Sequence, residues 1–253
     1  MTPSRVITEI ATFTPEAALV AARAGADRIE LCSGYSEGGI SPSAASIQYV
    51  RRQIQIPIHV MIRPRIGDFI YTPAEKEIIL EDIRFCKQTG VQGIVCGALL
   101  PDGTIDKDFT QQMVEVASPM SVTFHRAFDL CPDLPQALHT LIECGIHRVL
   151  TSGGKPNALE GMHVLEQLVQ QASNRLIILP GGGIRPGNVA ELIARTGVRE
   201  IHLSAKTLRA SKASYQPGVT LTAPPGEVSD RTWFECNPND IVAMKEEIMR
   251  LGL

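Results

Sequence analysis

The segment Ile58-His-Val-Met-Ile-Arg63 alternates isoleucine and valine with other side chains and ends in an arginine. A period of two is typical of a β-strand. Seven further short apolar runs resemble it, and each gives way to a helix-like stretch. The eight runs are Val6–Ile10, Arg28–Cys32, Ile58–Arg63, Gly93–Gly97, Ser121–His125, Arg148–Ser152, Leu176–Pro180 and Glu200–Ser204. They recur about every 25 to 30 residues, and eight such βα units in ~250 residues match a TIM barrel. We therefore predict an α/β fold, a TIM (β/α)8 barrel, as one domain over residues 1–253.

The stretches between the runs carry helix-boundary residues. Thr14-Pro15 and Thr72-Pro73 are typical of helix starts, and Gly25 and Gly90 of helix ends. Residues 208–238 depart from this pattern, because they are polar, rich in proline and without periodicity. Such a segment is usually a functional excursion or disordered, so it either folds over the barrel mouth or forms a surface loop. A final helix is predicted over residues 239–251, capped by Asn239 or Asp240.

Composition narrows the possible functions. The formal net charge of -3 gives no sign of the clustered basic face that nucleic-acid binding needs. No apolar run approaches the roughly 18 residues of a membrane span, and the first residues lack the pattern of a signal peptide. The six cysteines are scattered, which favours reduced thiols. We expect a cytoplasmic protein that binds neither nucleic acid nor a membrane.

Alternation along each strand predicts which side chains face the barrel interior. The outer face must be apolar, because helices cover it. The predicted interior residues are Glu9, Glu30, Cys32, His59, Arg63, His125, His202 and Ser204. Ionised groups there cost several kcal/mol each unless they are paired. Two interpretations stay open: a structural salt-bridge network, for instance Arg63 with Glu9 and Glu30, or a ligand site in which Glu9 or Glu30 and His125 transfer protons.

Two motifs at strand ends add candidate residues. Arg63 and Arg65 lie at the mouth of strand three, where their guanidinium groups could hold a carboxylate or phosphate; alternatively, they bind the neighbouring loops. Strand five ends in His125-Arg-Ala-Phe-Asp129, which brings a histidine, an arginine and an acid within one turn. We take Asp129 as a further catalytic candidate.

Glycine-rich turns follow strands six and seven. Thr151-Ser-Gly-Gly154 and Gly181-Gly-Gly183 would expose backbone amides where this fold often binds phosphate. The candidate anion-binding residues are Arg65, Ser152, Gly153, Gly182, Gly183 and Ser204. They predict a small anionic ligand.

The cysteines allow a metal interpretation. Cys32 is predicted to face the interior near its top, and Cys96 on strand four could do the same. Thiolates are soft ligands suited to Cu(I), although a buried cysteine is more often an apolar filler. A hard-metal site from Glu9, Glu30 and His125 is a further alternative.

Five ordered motifs resemble the CutC family of copper homeostasis proteins: Arg28–Cys32, Glu37–Ser43, Ile62–Phe69, Val122–Asp129 and Arg148–Gly153. The resemblance covers nearly the whole chain through Lys206. It implies a cytoplasmic TIM barrel linked to copper handling, and a homo-oligomer, either a dimer or a tetramer. Members of the family carry a cysteine pair directly after the first-strand glutamate, where this chain has Ile10-Ala-Thr-Phe13.

Two function hypotheses follow from these observations. By resemblance, the chain is a copper-homeostasis protein that binds Cu(I) through Cys32 and Cys96. From its residues, it is an enzyme acting on a small phosphorylated or carboxylated molecule. In the second hypothesis the catalytic candidates are Glu9, Glu30, Arg63, His125 and Asp129.

Overall fold

The predicted barrel is confirmed. A computed structural model describes residues 5–215, 218–219, 221 and 228–252. Eight parallel strands form one sheet in the order β7-β6-β5-β4-β3-β2-β1-β8, and β7 and β8 pack side by side to nearly close the cylinder. The strands are β1 (Ile7–Thr12), β2 (Arg28–Leu31), β3 (Ile58–Met61), β4 (Gly93–Cys96), β5 (Ser121–Phe124), β6 (Arg148–Thr151), β7 (Ile177–Pro180) and β8 (Glu200–Leu203).

Helices alternate with the strands and cover the outside of the barrel. They are α1 (Pro15–Arg23), α2 (Ala44–Gln53), α3 (Pro73–Thr89), α4 (Lys107–Ala117), α5 (Leu134–Glu143), α6 (Met162–Ala172), α7 (Val189–Thr196) and α8 (Pro238–Arg250), with a 3₁₀ helix at Arg126–Leu130. The Thr72 side chain caps α3 in a capping box with Glu75, and Gly90 ends it in the left-handed conformation.

The start of α8 corrects one detail of the sequence analysis. The cap is Asn237, whose side chain accepts a hydrogen bond from the Asn239 amide; it is neither Asn239 nor Asp240. Pro238 occupies the first helical position, where its missing N–H costs no hydrogen bond. No helix in the described ranges is both long and apolar enough to cross a membrane.

The irregular segment after β8 is shorter than predicted. Its two ends form an antiparallel hairpin, β9 (Lys206–Ala210) with β10 (Thr232–Cys236). Every residue of β9 is exposed, so the strand lacks the apolar alternation that reveals the barrel strands. Among the described residues between 211 and 231 no helix or named strand occurs; residues 216–217, 220 and 222–227 lie outside the description.

Strand alternation separates two chemically different layers. Side chains such as Ile29, Leu31, Ile58 and Val60 point outward and form one apolar core with the helices. The opposite faces of the same strands carry Arg28 and other charged or polar groups, which are buried inside the cylinder. The apolar outer core stabilises the barrel, and its interior contains buried charged and polar side chains.

Candidate active site

A cavity of about 700 Å³ opens at the carboxyl ends of the strands. This position is the one that the fold predicts for a site. Seven of the sequence-predicted residues line it: Glu30, Cys32, Arg63, His125, Gly182, Gly183 and Ser204. The cavity lining does not include Glu9, Arg65, Cys96, Asp129, Ser152 or Gly153.

Glu9 lies below the cavity in a buried ion-pair network. Its carboxylate accepts a hydrogen bond from Arg28, and Arg28 also binds Glu200. Burial raises the pKa of Glu9, but the hydrogen bond from His202 and the charge of Arg28 outweigh burial, so this pKa is lowered and Glu9 is ionised. The proposed partnership of Arg63 with Glu9 and Glu30 is therefore wrong. Arg28 fills this role because it lies directly opposite Glu9 in the β1–β2 register.

Glu30 and His202 form an acid/base pair on the cavity floor. His202 donates through Nδ1 to Oε1 of Glu9 at 2.8 Å, and its Nε2 lies 3.7 Å from Oε2 of Glu30. Burial raises the pKa of Glu30; the charge of His202 opposes this effect, the charge of Glu9 adds to it, and the net shift is upward. Burial lowers the pKa of His202, but the charge of Glu30 and the Glu9 hydrogen bond outweigh burial, so that pKa is raised. A proton can therefore be held by either partner.

His125 directly follows β5, and its side chain is buried. Its Nδ1 accepts a hydrogen bond from the Ala127 amide at 3.2 Å, which requires the ring proton to be on Nε2. Burial, with the nearby charge of Arg63, lowers the pKa of His125 to about 3. Gly97 makes room for the ring, since a Cβ there would lie 2.7 Å from it. His125 is thus a neutral donor through Nε2.

Arg63 spans the mouth of β3. Its two terminal nitrogens donate to the backbone carbonyls of Glu37, Gly39 and Gly67, at 2.8 to 3.1 Å. The guanidinium lies over the Phe69 ring at 4.7 Å, and the same ring lies 4.7 Å from that of His125. The side chain is therefore held in place by the loops and by Phe69, and it forms part of the cavity lining.

The glycine turn after β7 forms the opposite rim together with Arg126. Gly182 and Gly183 have φ of 95° and 75°, which favour glycine. Arg126 lies so close that its Nη1 would be 3.5 Å from a Cβ on Gly182. Because Ser152 accepts a hydrogen bond from Nη2 at 2.7 Å, the guanidinium is oriented across the turn.

Asp129 stabilises this rim through hydrogen bonds and does not line the cavity. Its carboxylate accepts hydrogen bonds from the Ser152 and Gly154 amides and from the Thr151 hydroxyl. It also accepts one from Nε of Arg126 at 2.8 Å. The geometry favours a positioning role for Asp129 over direct proton transfer. Gly153 belongs to the same turn, and its amide donates to the Thr151 hydroxyl.

Arg65 faces away from the cavity. It donates to Glu75 at 2.5 Å and to Asp68 at 2.9 Å. This arrangement matches the alternative that the sequence left open, an arginine that binds neighbouring loops. Two nearby carboxylates also disfavour an anion at Arg65.

The two thiols predicted to bind copper do not share a site. Cys32 lines the cavity and packs with Met61 and Val95. Cys96 follows Val95 directly, so its side chain points to the opposite face and joins the outer core. Burial raises the pKa of Cys32 well above its usual range, and the charge of Glu30 adds to this; burial raises the pKa of Cys96 to about 12. This donor set does not fit a two-thiolate Cu(I) site.

Several lining residues were missed as site residues by sequence reasoning. They are Phe13, Tyr35, Phe69, Arg126, Arg185, His202 and Lys206. His202 was predicted to face the interior, but its partners depend on strand register, which is not a local property. Arg185 follows the glycine turn by two residues, and that spacing could have indicated a second cation on the rim.

Sequence comparison with known proteins supports the family resemblance that the five motifs indicate. A sequence model of the CutC family matches residues 6–207. The human copper homeostasis protein cutC homolog is 46% identical over 208 residues, covering 82% of this chain and 76% of its own length. The chain belongs to the CutC family.

Other CutC proteins extend the match. The family protein CutC of Histophilus somni (strain 2336) is 43% identical over 238 residues, covering 94% of this chain and 97% of its own. A crystal structure of CutC from Streptococcus agalactiae has a TM-score of 0.74 at 29% identity, covering 78% of this chain and 97% of that one. The structure of an aldolase, QR15, has a TM-score of 0.62 at 12% identity, and the match covers 80% of this chain and 91% of QR15. At this identity the likeness shows a common fold and nothing more.

Proposed function

We propose that this CutC protein is an enzyme that performs acid/base chemistry on a small phosphorylated or carboxylated metabolite. The observation that carries the proposal is the Glu30–His202 pair, which lies at the floor of a cavity with cations at its rim. A raised carboxyl pKa beside a histidine in a concave site is typical of catalytic acid/base groups.

Glu30 is the group proposed to exchange a proton with the substrate. Its Oε1 is buried and accepts no hydrogen bond of ordinary geometry among the described residues, although the nearby Cys32 thiol acts to lower the pKa of the carboxyl group. His202 faces the other oxygen and is held by the ionised Glu9, so it can supply or receive the balancing proton. Glu9 is thereby assigned a supporting role beneath the cavity.

The cationic rim supports the choice of an anionic substrate. Arg126, Arg185 and Lys206 all line the cavity. Arg126 lies beside the Gly182–Gly183 turn, whereas the Lys206 ammonium lies over the Tyr35 and Phe234 rings. Neither glycine amide of this turn donates to an acceptor within the described part of the chain. Backbone amides beside a guanidinium form a suitable binding site for phosphate or carboxylate.

The test is a search for substrate in a mixture. The protein is incubated with small metabolites extracted from cells, and changes are followed by mass spectrometry. We expect conversion of a phosphorylated or carboxylated compound, slowed at least about 100-fold by Glu30→Gln. The exposed Glu16 on α1 supplies the control, Glu16→Gln, which should convert the compound at the normal rate. Unchanged anionic compounds with the wild-type protein would refute the proposal.

Copper binding is the competing hypothesis, and the separated thiols disfavour it. We expect the Cu(I) affinity, measured in competition with a chelator, to be the same for the wild-type protein and Cys32→Ser. The reason is that the Cys32 thiol is protonated and Cys96 faces away from it. A sharp loss of affinity in Cys32→Ser would restore copper binding as the function.

Two further expectations stay predictions. All six cysteines are free and buried, as a reducing compartment such as the cytoplasm would maintain them. Assembly into a homo-dimer or homo-tetramer is implied by the family resemblance and awaits measurement of the mass in solution.

A further inference from the structure

Three buried polar atoms of cavity-lining residues make no hydrogen bond of ordinary geometry within the described residues. They are Oε1 of Glu30, Nε of Arg63 and Nε2 of His125. A buried polar group without a hydrogen bond is destabilising by about 1–3 kcal/mol, which suggests that a ligand supplies the missing partner. Two of the three atoms are donors, and the third belongs to the proposed acid/base carboxyl group.

The donor character of His125 is fixed by its surroundings. The Ala127 amide occupies Nδ1, so the proton of the neutral ring is on Nε2. The arginine Nε–H is likewise a donor under all conditions, because guanidinium does not deprotonate in proteins. Phe69 lies 4.7 Å from the Arg63 guanidinium and 4.7 Å from the His125 ring, so both side chains contact the same aromatic ring.

A neutral carbonyl oxygen fits this pair of donors better than a full anion does. The carboxyl group of Glu30 shares the cavity, and its ionised form would repel a phosphate or carboxylate placed beside it. The anion-binding rim at Gly182 and Arg126 already serves such a group. A carbonyl oxygen carries no net charge in the bound substrate, and it becomes negative only when a proton leaves the neighbouring carbon.

We infer that the substrate is a carbonyl compound with an anionic tail, and that His125 and Arg63 stabilise the enolate formed when Glu30 removes a proton from the adjacent carbon. The inference rests on the proposed function and names its substrate class. The C–H bond breaks and its proton bonds to Glu30. The C–H electron pair forms the C=C bond, and the carbonyl π pair moves to oxygen. Charge is conserved, because Glu30 becomes neutral as the oxygen becomes negative, and no further reactant is needed.

A neutral histidine is well suited to this role. An imidazole donor can polarise a carbonyl and stabilise its oxyanion without giving up its proton. In this interpretation His125 is an electrophile and not the acid/base group that the sequence suggested.

The test compares two phosphate-bearing probes by titration calorimetry. Phosphoglycolohydroxamate imitates a planar enolate, whereas glycerol 3-phosphate has no carbonyl. We expect the hydroxamate to bind at least about tenfold more tightly, as one hydrogen bond to a charged group would give. His125→Asn keeps an acceptor for the Ala127 amide but lacks a donor at Nε2, so it should abolish the preference. His125→Gln places an amide N–H near Nε2 and should restore part of it.

The outcomes separate this inference from the proposed function. Equal binding of both probes, unaffected by His125→Asn, would refute the carbonyl and leave an anion-binding enzyme. Binding of neither probe would count against both. Nitrogen-15 NMR of the wild-type protein gives an independent readout, in which His125 should stay neutral with its proton on Nε2 down to about pH 5. An imidazolium, or a proton on Nδ1, would overturn the inference.

Discussion

His59 is buried deep in the barrel, with only 3% of its surface exposed. Burial lowers its pKa to about 3, although Glu9 lies 3.7 Å away and favours the charged form. Its ring faces Gly93 on β4, where a Cβ would lie 2.5 Å from the imidazole. His59 is therefore a structural histidine that burial keeps neutral in the folded barrel.

This neutrality predicts a loss of stability in acid. The unfolded chain binds a proton at His59 near pH 6.5, whereas the folded protein binds it only near pH 3. The free energy of unfolding therefore decreases as the pH drops between these values. His59 alone accounts for a decrease of about 2 kcal/mol between about pH 7.5 and about pH 5. Urea unfolding should show that the free energy of unfolding of His59→Gln decreases less over this pH range than that of the wild-type protein, and the difference should be about 2 kcal/mol.

The exposed His139 on α5 gives the control. His139→Gln should retain the full decrease of the wild-type protein. His125 also contributes to that decrease, because its pKa is lowered to about 3 as well. Equal pH dependence in His59→Gln and the wild-type protein would show that His59 is not the neutral group described above.

The side chains that face β4 show which interior contacts strand alternation predicts and which it does not. Alternation correctly predicted that His59 and His125 face the interior. It did not indicate that Gly93 on β4 and Gly97 directly after it are needed to accommodate the two rings. That relation depends on the register between neighbouring strands, and register is set by tertiary packing.

The β9–β10 hairpin was missed for a different reason. β9 is wholly exposed and carries Lys206, Thr207 and Arg209, so no apolar alternation indicates a strand. Its position depends on long-range contacts: the Lys206 ammonium lies 4.9 Å from the Tyr35 ring and 4.3 Å from that of Phe234. A segment ordered by cation–π contacts and backbone pairing has a weak local signature.

The repeated βα pattern predicted both the barrel and the location of its cavity, because the period of each strand and the eightfold repetition can be read directly from the sequence. The ion pairs inside the cylinder did not follow. Arg148 on β6 binds Glu200 on β8 at 2.8 Å, and its other nitrogen donates to Ser121 on β5. These contacts join strands that are far apart in the chain, so no local pattern reveals them.

The Arg148–Glu200 pair bridges β7, at the point where the hydrogen-bonded order of strands ends. We expect Arg148→Met to lower the free energy of unfolding by about 2 kcal/mol, because Glu200 loses one of its two ion-pair partners among the described residues and keeps Arg28. Amide hydrogen exchange should become faster in β7 and β8 than in β2 and β3. The exposed Arg195 pairs weakly with Glu166 at 3.9 Å, and Arg195→Met should change stability by less than about 0.5 kcal/mol. Uniform exchange across all strands, or an unchanged unfolding free energy in Arg148→Met, would show that the barrel closes without this ion pair.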